Sequence, residues 1–79
     1  MKIIVNAREK EFNEEVINYD DAIRLAFGDA DLSKHKMTVT YTRDIKPPFK
    51  DHGILVPNEK GIKVTEGMRL TATLKYLKQ

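Results

Sequence analysis

The sequence predicts an α+β domain in which a mixed sheet of four to five strands packs on one short helix. Two stretches, residues 37–43 and 68–77, alternate apolar with polar side chains, which is typical of half-buried strands. One stretch, residues 19–28, has the apolar spacing of an amphipathic helix. The chain has 79 residues, the length of one small domain, so we expect residues 1–79 to form a single folded unit.

Composition narrows the classes of function. Of the residues, 41% are hydrophobic and 33% are charged, and the net charge of +2 is too small to indicate a nucleic-acid partner. The absence of cysteine excludes a thiolate nucleophile, a disulfide framework and a Cys-based metal site. The sequence has neither an apolar run of about 18 residues nor a signal-peptide pattern. We therefore expect a cytoplasmic protein that binds no membrane.

The N-terminal part is predicted to form two strands. Residues 1–7 read as the first strand, in which Ile4 points to the face opposite its two apolar neighbours. Residues 6–10 are polar and predict a hairpin connection. The second strand is expected over residues 11–18.

The helix is predicted over residues 19–28. Asp20 is the expected N-cap, because its carboxylate can accept hydrogen bonds from the N–H groups of the first turn. Gly28 suits the position that ends a helix. The apolar stripe has three members at helical spacing: Ile23, Ala26 and Phe27.

The middle of the chain is predicted to run from a polar connection, residues 29–36, into the strand at 37–43. The next segment, residues 44–53, contains two adjacent prolines and cannot be a central strand, so it predicts a surface loop. We expect Ile45 or Phe49 to pack back onto the core.

Three further strands complete the sheet: two short apolar pieces at 54–56 and 62–64, and a last strand at 68–77. The polar side chains that alternate with apolar ones along the last strand are Arg69, Thr71, Thr73 and Lys75. The first and last strands lack turn-forming residues, so we place both centrally. Adjacent strands that are not joined directly can run parallel, and the resulting arrangement is the β-grasp topology.

No arrangement of side chains predicts catalysis or a metal site. His35 and His52 are the only histidines, and both are expected in polar loops, whereas a metal site needs several ligands in matching geometry. Asp20 and Asp21 could act as paired carboxylates, but helix capping explains them more simply. We therefore expect a protein that is not an enzyme, with no metal and no bound cofactor.

The order and spacing of six segments carry a resemblance over essentially the whole chain. The segments are MKIIV at 1–5, DAIRLAFG at 21–28, MTVTYTR at 37–43, GILVP at 53–57, IKVTEGM at 62–68 and LTATLKYLKQ at 70–79. Together they resemble ubiquitin-like modifiers, and the internal segments are most similar to bacterial multiubiquitin-type domains. The resemblance implies a ubiquitin-like β-grasp fold.

The resemblance also implies a function. In such a family the C-terminal carboxylate is adenylated by an activating enzyme that uses ATP, and is passed through a conjugating enzyme to a target protein. A processing or deconjugating peptidase and systems of bacterial antiphage defence accompany these modifiers. In this chain the implied conjugation tail, at 75–79, consists of Lys75, Tyr76, Leu77, Lys78 and Gln79.

The chain departs from ubiquitin at its end and on its surface. Lys78-Gln79 stands where ubiquitin has two glycines, which suit a narrow enzyme channel because they carry no side chain. The outward positions are largely threonine, and Ile4 is the one apolar residue expected to face outward. The expected partner-binding surface comprises Ile4, Arg69, Thr71 and Thr73.

Other functions stay open beside the modifier. The chain could be a non-covalent β-grasp binding module, or one unit of a tandem ubiquitin-like polyprotein. A sulfur carrier is less favoured, because those proteins also end in two glycines.

Overall fold

The computed structural model describes residues 1–28, 33–46 and 49–76, with residues 45 and 46 in their backbone only. The elements are β1 (Lys2–Val5), β2 (Arg8–Glu11), β3 (Val16–Ile17), α1 (Tyr19–Phe27), β4 (His35–Lys46), β5 (Phe49–Leu55), β6 (Ile62–Lys63) and β7 (Arg69–Tyr76). Five strands form one sheet in the order β2-β1-β7-β4-β5, and β3 pairs with β6 in a separate two-stranded ribbon. The predicted α+β arrangement, with a mixed sheet of four to five strands and one short helix, is confirmed at this level.

Strands β1 and β7 lie side by side and run parallel, as predicted for the first and last strands. Ile4 lies opposite Arg69 in this pair. The backbone N–H of Ile4 donates to the carbonyl of Met68 at 2.9 Å, and that of Asn6 donates to the carbonyl of Leu70 at 3.0 Å. Strand β4 runs antiparallel along the other side of β7, so β7 is the central strand of the sheet.

The core lies between α1 and one face of the sheet. Its buried members are Ile3, Val5, Ile17, Ala22, Val39, Leu55, Val64, Met68, Leu70 and Ala72. The predicted stripe of Ile23, Ala26 and Phe27 packs against this cluster but is only partly buried. The fully buried helix residue is Ala22. Because its side chain is a single methyl group, the helix backbone can lie close to the core.

The predicted helix N-cap is wrong by two residues: Asn18, and not Asp20, caps α1. The Asn18 side-chain oxygen accepts from the Asp21 N–H at 2.8 Å, and the Asp21 carboxylate accepts from the Asn18 N–H at 3.2 Å. This reciprocal pair satisfies two backbone donors at once, which a single cap at Asp20 would not do. Gly28 follows the helix with a φ of 64°, and its N–H donates to the Arg24 carbonyl, as expected for a helix-ending glycine.

The first hairpin also differs from the prediction. The connection is shorter than the predicted residues 6–10, because the chain turns within two residues, Asn6 and Ala7. Both have positive φ, 51° and 67°, which gives the tight turn whose twist matches paired strands. Strand β2 therefore begins at once with Arg8 opposite Val5. The prediction of one strand over residues 11–18 is also wrong, since β2 ends at Glu11 and β3 comprises only Val16–Ile17.

The segment predicted as a surface loop, residues 44–53, is instead largely part of a long β4–β5 hairpin. Its two strands pair from Val39 opposite Leu55 to Lys46 opposite Phe49, with a bulge between Asp44 and Lys46. Phe49 does not pack on the core, since 69% of its surface is exposed. Pro47, Pro48, the Ile45 side chain and residues 29–32 of the predicted connection lie outside the described residues.

A cross-strand ion pair supports this hairpin. The Arg43 Nε donates to the Asp51 carboxylate at 2.8 Å, and its Nη1 donates to the Lys63 carbonyl at 2.6 Å. Arg43 thereby ties β4 both to β5 and to the β3–β6 ribbon.

Candidate functional site

The four residues predicted to bind a partner lie together on the sheet face turned away from α1, which we call the outer face. Ile4 lies opposite Arg69 across the β1–β7 pair. Arg69, Thr71 and Thr73 are exposed and alternate with buried positions of β7. Ile4 is half-buried, between two buried residues of β1. The alternation that predicted these positions therefore brings all four onto one surface.

Threonines dominate the centre of the outer face. Directly opposite pairs in the β4–β7 ladder are Thr38 with Thr73 and Thr40 with Thr71, while Thr42 faces Arg69. The Thr73 hydroxyl donates to the Thr38 carbonyl at 3.4 Å. Hydroxyls and one guanidinium offer hydrogen bonds to a polar partner, whereas an aliphatic partner would find few contacts here.

The prediction that Ile4 is the one apolar residue facing outward is wrong, because Ile54 does so too. Ile54 lies on β5 opposite Thr40, and 62% of its surface is exposed. The signal was present in the sequence. Leu55 reads as a core residue, so its neighbour in a strand must point to the other face.

The predicted conjugation tail is described only in part. Lys75 and Tyr76 are the exposed end of β7, opposite Lys36 and His35. The Tyr76 and His35 rings meet edge to face with centroids 5.4 Å apart. Leu77, Lys78 and Gln79 lie outside the described residues.

The pairing of β7 changes at Ala72. The Asn6 side-chain amide accepts from the Ala72 N–H at 2.8 Å and donates to the Ala72 carbonyl at 3.1 Å. Beyond this contact, residues 73–76 of β7 pair with β4, and no other described strand runs beside them. The end of β7 is thus held on one side and open on the other.

Both histidines were predicted to lie in polar loops, but both lie in strands. His35 begins β4 and is half-buried, and its Nδ1 has no hydrogen-bond partner among the described residues. His52 lies in the middle of β5 and is exposed, opposite Thr42. Within the described ranges, no three His, Asp or Glu side chains converge as metal ligands would.

Two clefts flank the threonine surface. The polar one, about 410 Å³, is lined by Thr42, Arg43, Asp44, Lys50, Gly67 and Arg69. The apolar one, about 480 Å³, is lined by Tyr19, His35, Lys36, Met37, Thr38, Ile54, Leu55, Val56 and Pro57. The polar cleft places Arg43, Lys50 and Arg69 beside the Asp44 carboxylate, and Arg43 is already paired with Asp51, so this end of the outer face offers charges of both signs to a polar partner.

Tyr19 joins the helix to the wall of the apolar cleft. Its hydroxyl donates to the Met37 carbonyl at 3.2 Å. Burial and, to a lesser extent, the Asp20 carboxylate raise the pKa of Tyr19 above its ordinary value of 10.0. The hydroxyl therefore remains protonated, and a hydrogen-bond donor, to a higher pH than an ordinary tyrosine does.

The helix described here is too short to cross a membrane. The chain matches no protein-family model, no curated protein and no solved structure.

Proposed function

We propose that this chain is a ubiquitin-like modifier of the bacterial multiubiquitin type, with a β-grasp fold, which is joined to target proteins through its C-terminal carboxylate. The observation that carries the proposal is the position of β7. It is the central strand, parallel to β1 and antiparallel to β4, and its last residues are exposed. A modifier needs such a strand, because a rigid body must present an extended end to another protein.

The surface around the end of β7 supports the same function. Lys75 and Lys36 are exposed and lie directly opposite each other, and Arg69 is exposed farther along the strand. Positive charge along the approach to the tail would steer it toward an acidic groove of a partner enzyme. The Asn6–Ala72 hydrogen bonds keep the base of that approach fixed.

The chemistry would take place on partner enzymes. A terminal carboxylate oxygen attacks the α-phosphorus of ATP in the activating enzyme, and pyrophosphate leaves. A partner cysteine thiolate then displaces AMP to form a thioester, which a conjugating enzyme passes to a lysine amine or a hydroxyl of the target. This chain has no cysteine and contributes the carboxylate alone. A peptidase would process or remove the modifier.

The test is a reconstitution with the activating enzyme and ATP. We expect AMP release and a thioester on the activating enzyme that reducing agent cleaves. The matched control is the same chain with a C-terminal amide, which keeps the fold and lacks the nucleophilic carboxylate. Failure of the unmodified chain to give either product would remove the modifier function.

The outer face favours a second candidate, a non-covalent β-grasp binding module or one unit of a tandem polyprotein. The hydroxyls of Thr40 and Thr71 and the Arg69 guanidinium can bind a polar partner without any covalent step. The amidated chain separates the two functions. A module would bind its partner equally well with the amide, whereas a modifier would lose its reaction.

A further inference from the structure

The two edges of the main sheet differ in how they are protected from pairing. Strand β2 has four residues, REKE, all of them charged. Strand β5, at the other edge, has seven residues, FKDHGIL, and leaves Phe49 69% exposed and Ile54 62% exposed. Charged residues discourage an edge from pairing with another chain, whereas a longer edge with exposed apolar side chains invites it.

The hydrogen bonds of β7 show which backbone groups of β5 face outward. The N–H and C=O groups of alternate residues in a strand point to the same neighbour. Leu70 and Ala72 direct theirs toward β1 and Asn6. Arg69 and Thr71 therefore direct theirs toward β4.

The same alternation continues across β4. Thr40 and Thr42 are engaged with β7, which leaves Tyr41 to bond with Gly53 of β5. The residues of β5 between those bonded to β4 direct their N–H and C=O groups away from the sheet. They are Lys50, His52 and Ile54.

We propose that a second copy of this chain pairs with β5, antiparallel, about a two-fold axis at His52. His52 then lies opposite His52 of the second copy, Lys50 opposite Ile54, and Phe49 opposite Leu55. This register places the outward N–H and C=O groups of both strands opposite each other and pairs all seven residues. The result is one continuous sheet of ten strands, five from each copy.

The charges of β5 are compatible with a second copy and favour this register over its neighbours. Lys50 and Asp51 give the strand no net charge, so two copies do not repel each other. Moving the two-fold axis from His52 to Asp51 would place Asp51 opposite Asp51 of the second copy. Moving the axis to Gly53 would place Asp51 opposite Leu55, which is buried. The proposed register avoids both, and it covers the exposed Phe49 and Ile54.

The pairing leaves the proposed tail free. Strand β4 separates β5 from β7, so the dimer adds nothing beside the last residues of β7. Dimerisation and conjugation are therefore independent, and either can fail without the other.

The first experiment uses opposite charges at one exposed position. Ile54→Lys would set a lysine opposite Lys50 of the second copy, and Ile54→Glu would set a carboxylate there, each twice per dimer. Sedimentation equilibrium over a concentration series should show a dimer whose Kd rises about tenfold with Ile54→Lys and does not rise with Ile54→Glu. Val16→Lys makes the same kind of change at an exposed apolar position of β3, outside the main sheet, and is the matched control that should leave the Kd unchanged.

The second experiment removes the hydrogen bond at the axis. His52→Pro lacks the outward N–H, which an edge strand tolerates toward solvent, and should abolish the dimer. His52→Val keeps the N–H and should retain the dimer. Circular dichroism checks that each variant folds, and if His52→Pro unfolds, the two Ile54 variants decide. The proposal is overturned if the wild-type chain stays monomeric at every concentration, or if Ile54→Lys and Ile54→Glu give the same Kd. It is also overturned if the chain is a monomer that binds only extended peptides.

Discussion

The side chain of Asn6 binds the backbone of Ala72 as a strand residue would. Its amide oxygen accepts from the Ala72 N–H at 2.8 Å, and its nitrogen donates to the Ala72 carbonyl at 3.1 Å. Strand β1 ends at Val5, yet the Asn6 amide extends its ladder along β7 by one more pair of hydrogen bonds. The same residue forms the first turn of the sheet with a φ of 51°, which asparagine adopts more readily than most residues.

Asn6→Ala should lower the free energy of unfolding by about 2 kcal/mol, because two hydrogen bonds and a favourable turn residue are lost together. Urea denaturation measures the loss, and amide exchange at Ala72 should accelerate. Asn6→Asp keeps the acceptor and the turn preference but lacks the donor, so its loss should be smaller. Equal stability of the Ala variant and the wild type would contradict the role of this amide.

Gly61→Ala should destabilise the protein by about 3 kcal/mol. Gly61 has a φ of 93°, and a Cβ there would overlap the backbone carbonyl oxygen of Ile17, which cannot move without disturbing the β3–β6 ribbon. Gly67 is the matched control, since its φ is 77° but a Cβ would meet nothing within 4 Å. Gly67→Ala should lower the free energy of unfolding by only about 1 kcal/mol. Thermal unfolding of both variants measures the two losses of stability, and equal losses would contradict the role of the Ile17 carbonyl.

Tyr19 should make stability depend on alkaline pH. Its pKa is higher in the folded protein than the ordinary value of 10.0, so the folded state holds the phenolic proton more tightly than the unfolded state. The resulting stabilisation is complete below pH 10.0 and is lost as the pH rises toward the folded pKa. The free energy of unfolding of Tyr19→Phe should therefore fall less steeply above that pH than that of the wild type, and parallel slopes would disprove the coupling.

Lys75→Glu should slow activation by the partner enzyme, if the proposed modifier function holds. Reversing this exposed charge at the end of β7, where the proposed tail leaves the sheet, should lower kcat/KM for AMP release about tenfold at low salt, and the difference should shrink as salt is raised. Arg8→Glu makes the same change of charge on β2 and should have a smaller effect. A salt-independent loss would point to damage of the fold instead of lost steering.

Strands with a period-two pattern could be predicted from the sequence, because successive side chains of a strand point alternately to the buried face and to the exposed face of the sheet. The stretch around Val39 and the last strand follow this pattern, and the structure places their polar residues on the outer face. The parallel pairing of β1 with β7 was also predicted, because both stretches lack turn-forming residues, which favours a central place in the sheet, and adjacent strands that are not joined directly can run parallel. The four expected surface residues came together for the same reason.

Other features depend on contacts that no local pattern contains. The turn at Asn6 and Ala7 has positive φ at an alanine, which local preference opposes and the pairing of β1 with β2 enforces. Phe49 reads as a core residue, and its exposure follows from its place on an edge strand. The contact of His35 with Tyr76 depends on the β4–β7 register, which the sequence does not specify.

The parallel arrangement of β1 and β7 has a mechanical consequence. Tension applied between Met1 and Tyr76 acts along both strands in opposite directions. The Ile4–Met68 and Asn6–Leu70 hydrogen bonds then bear the load side by side, in shear, and must rupture together. An antiparallel pair pulled from one end would unzip one bond at a time, so this domain should transmit force between its two ends while remaining folded.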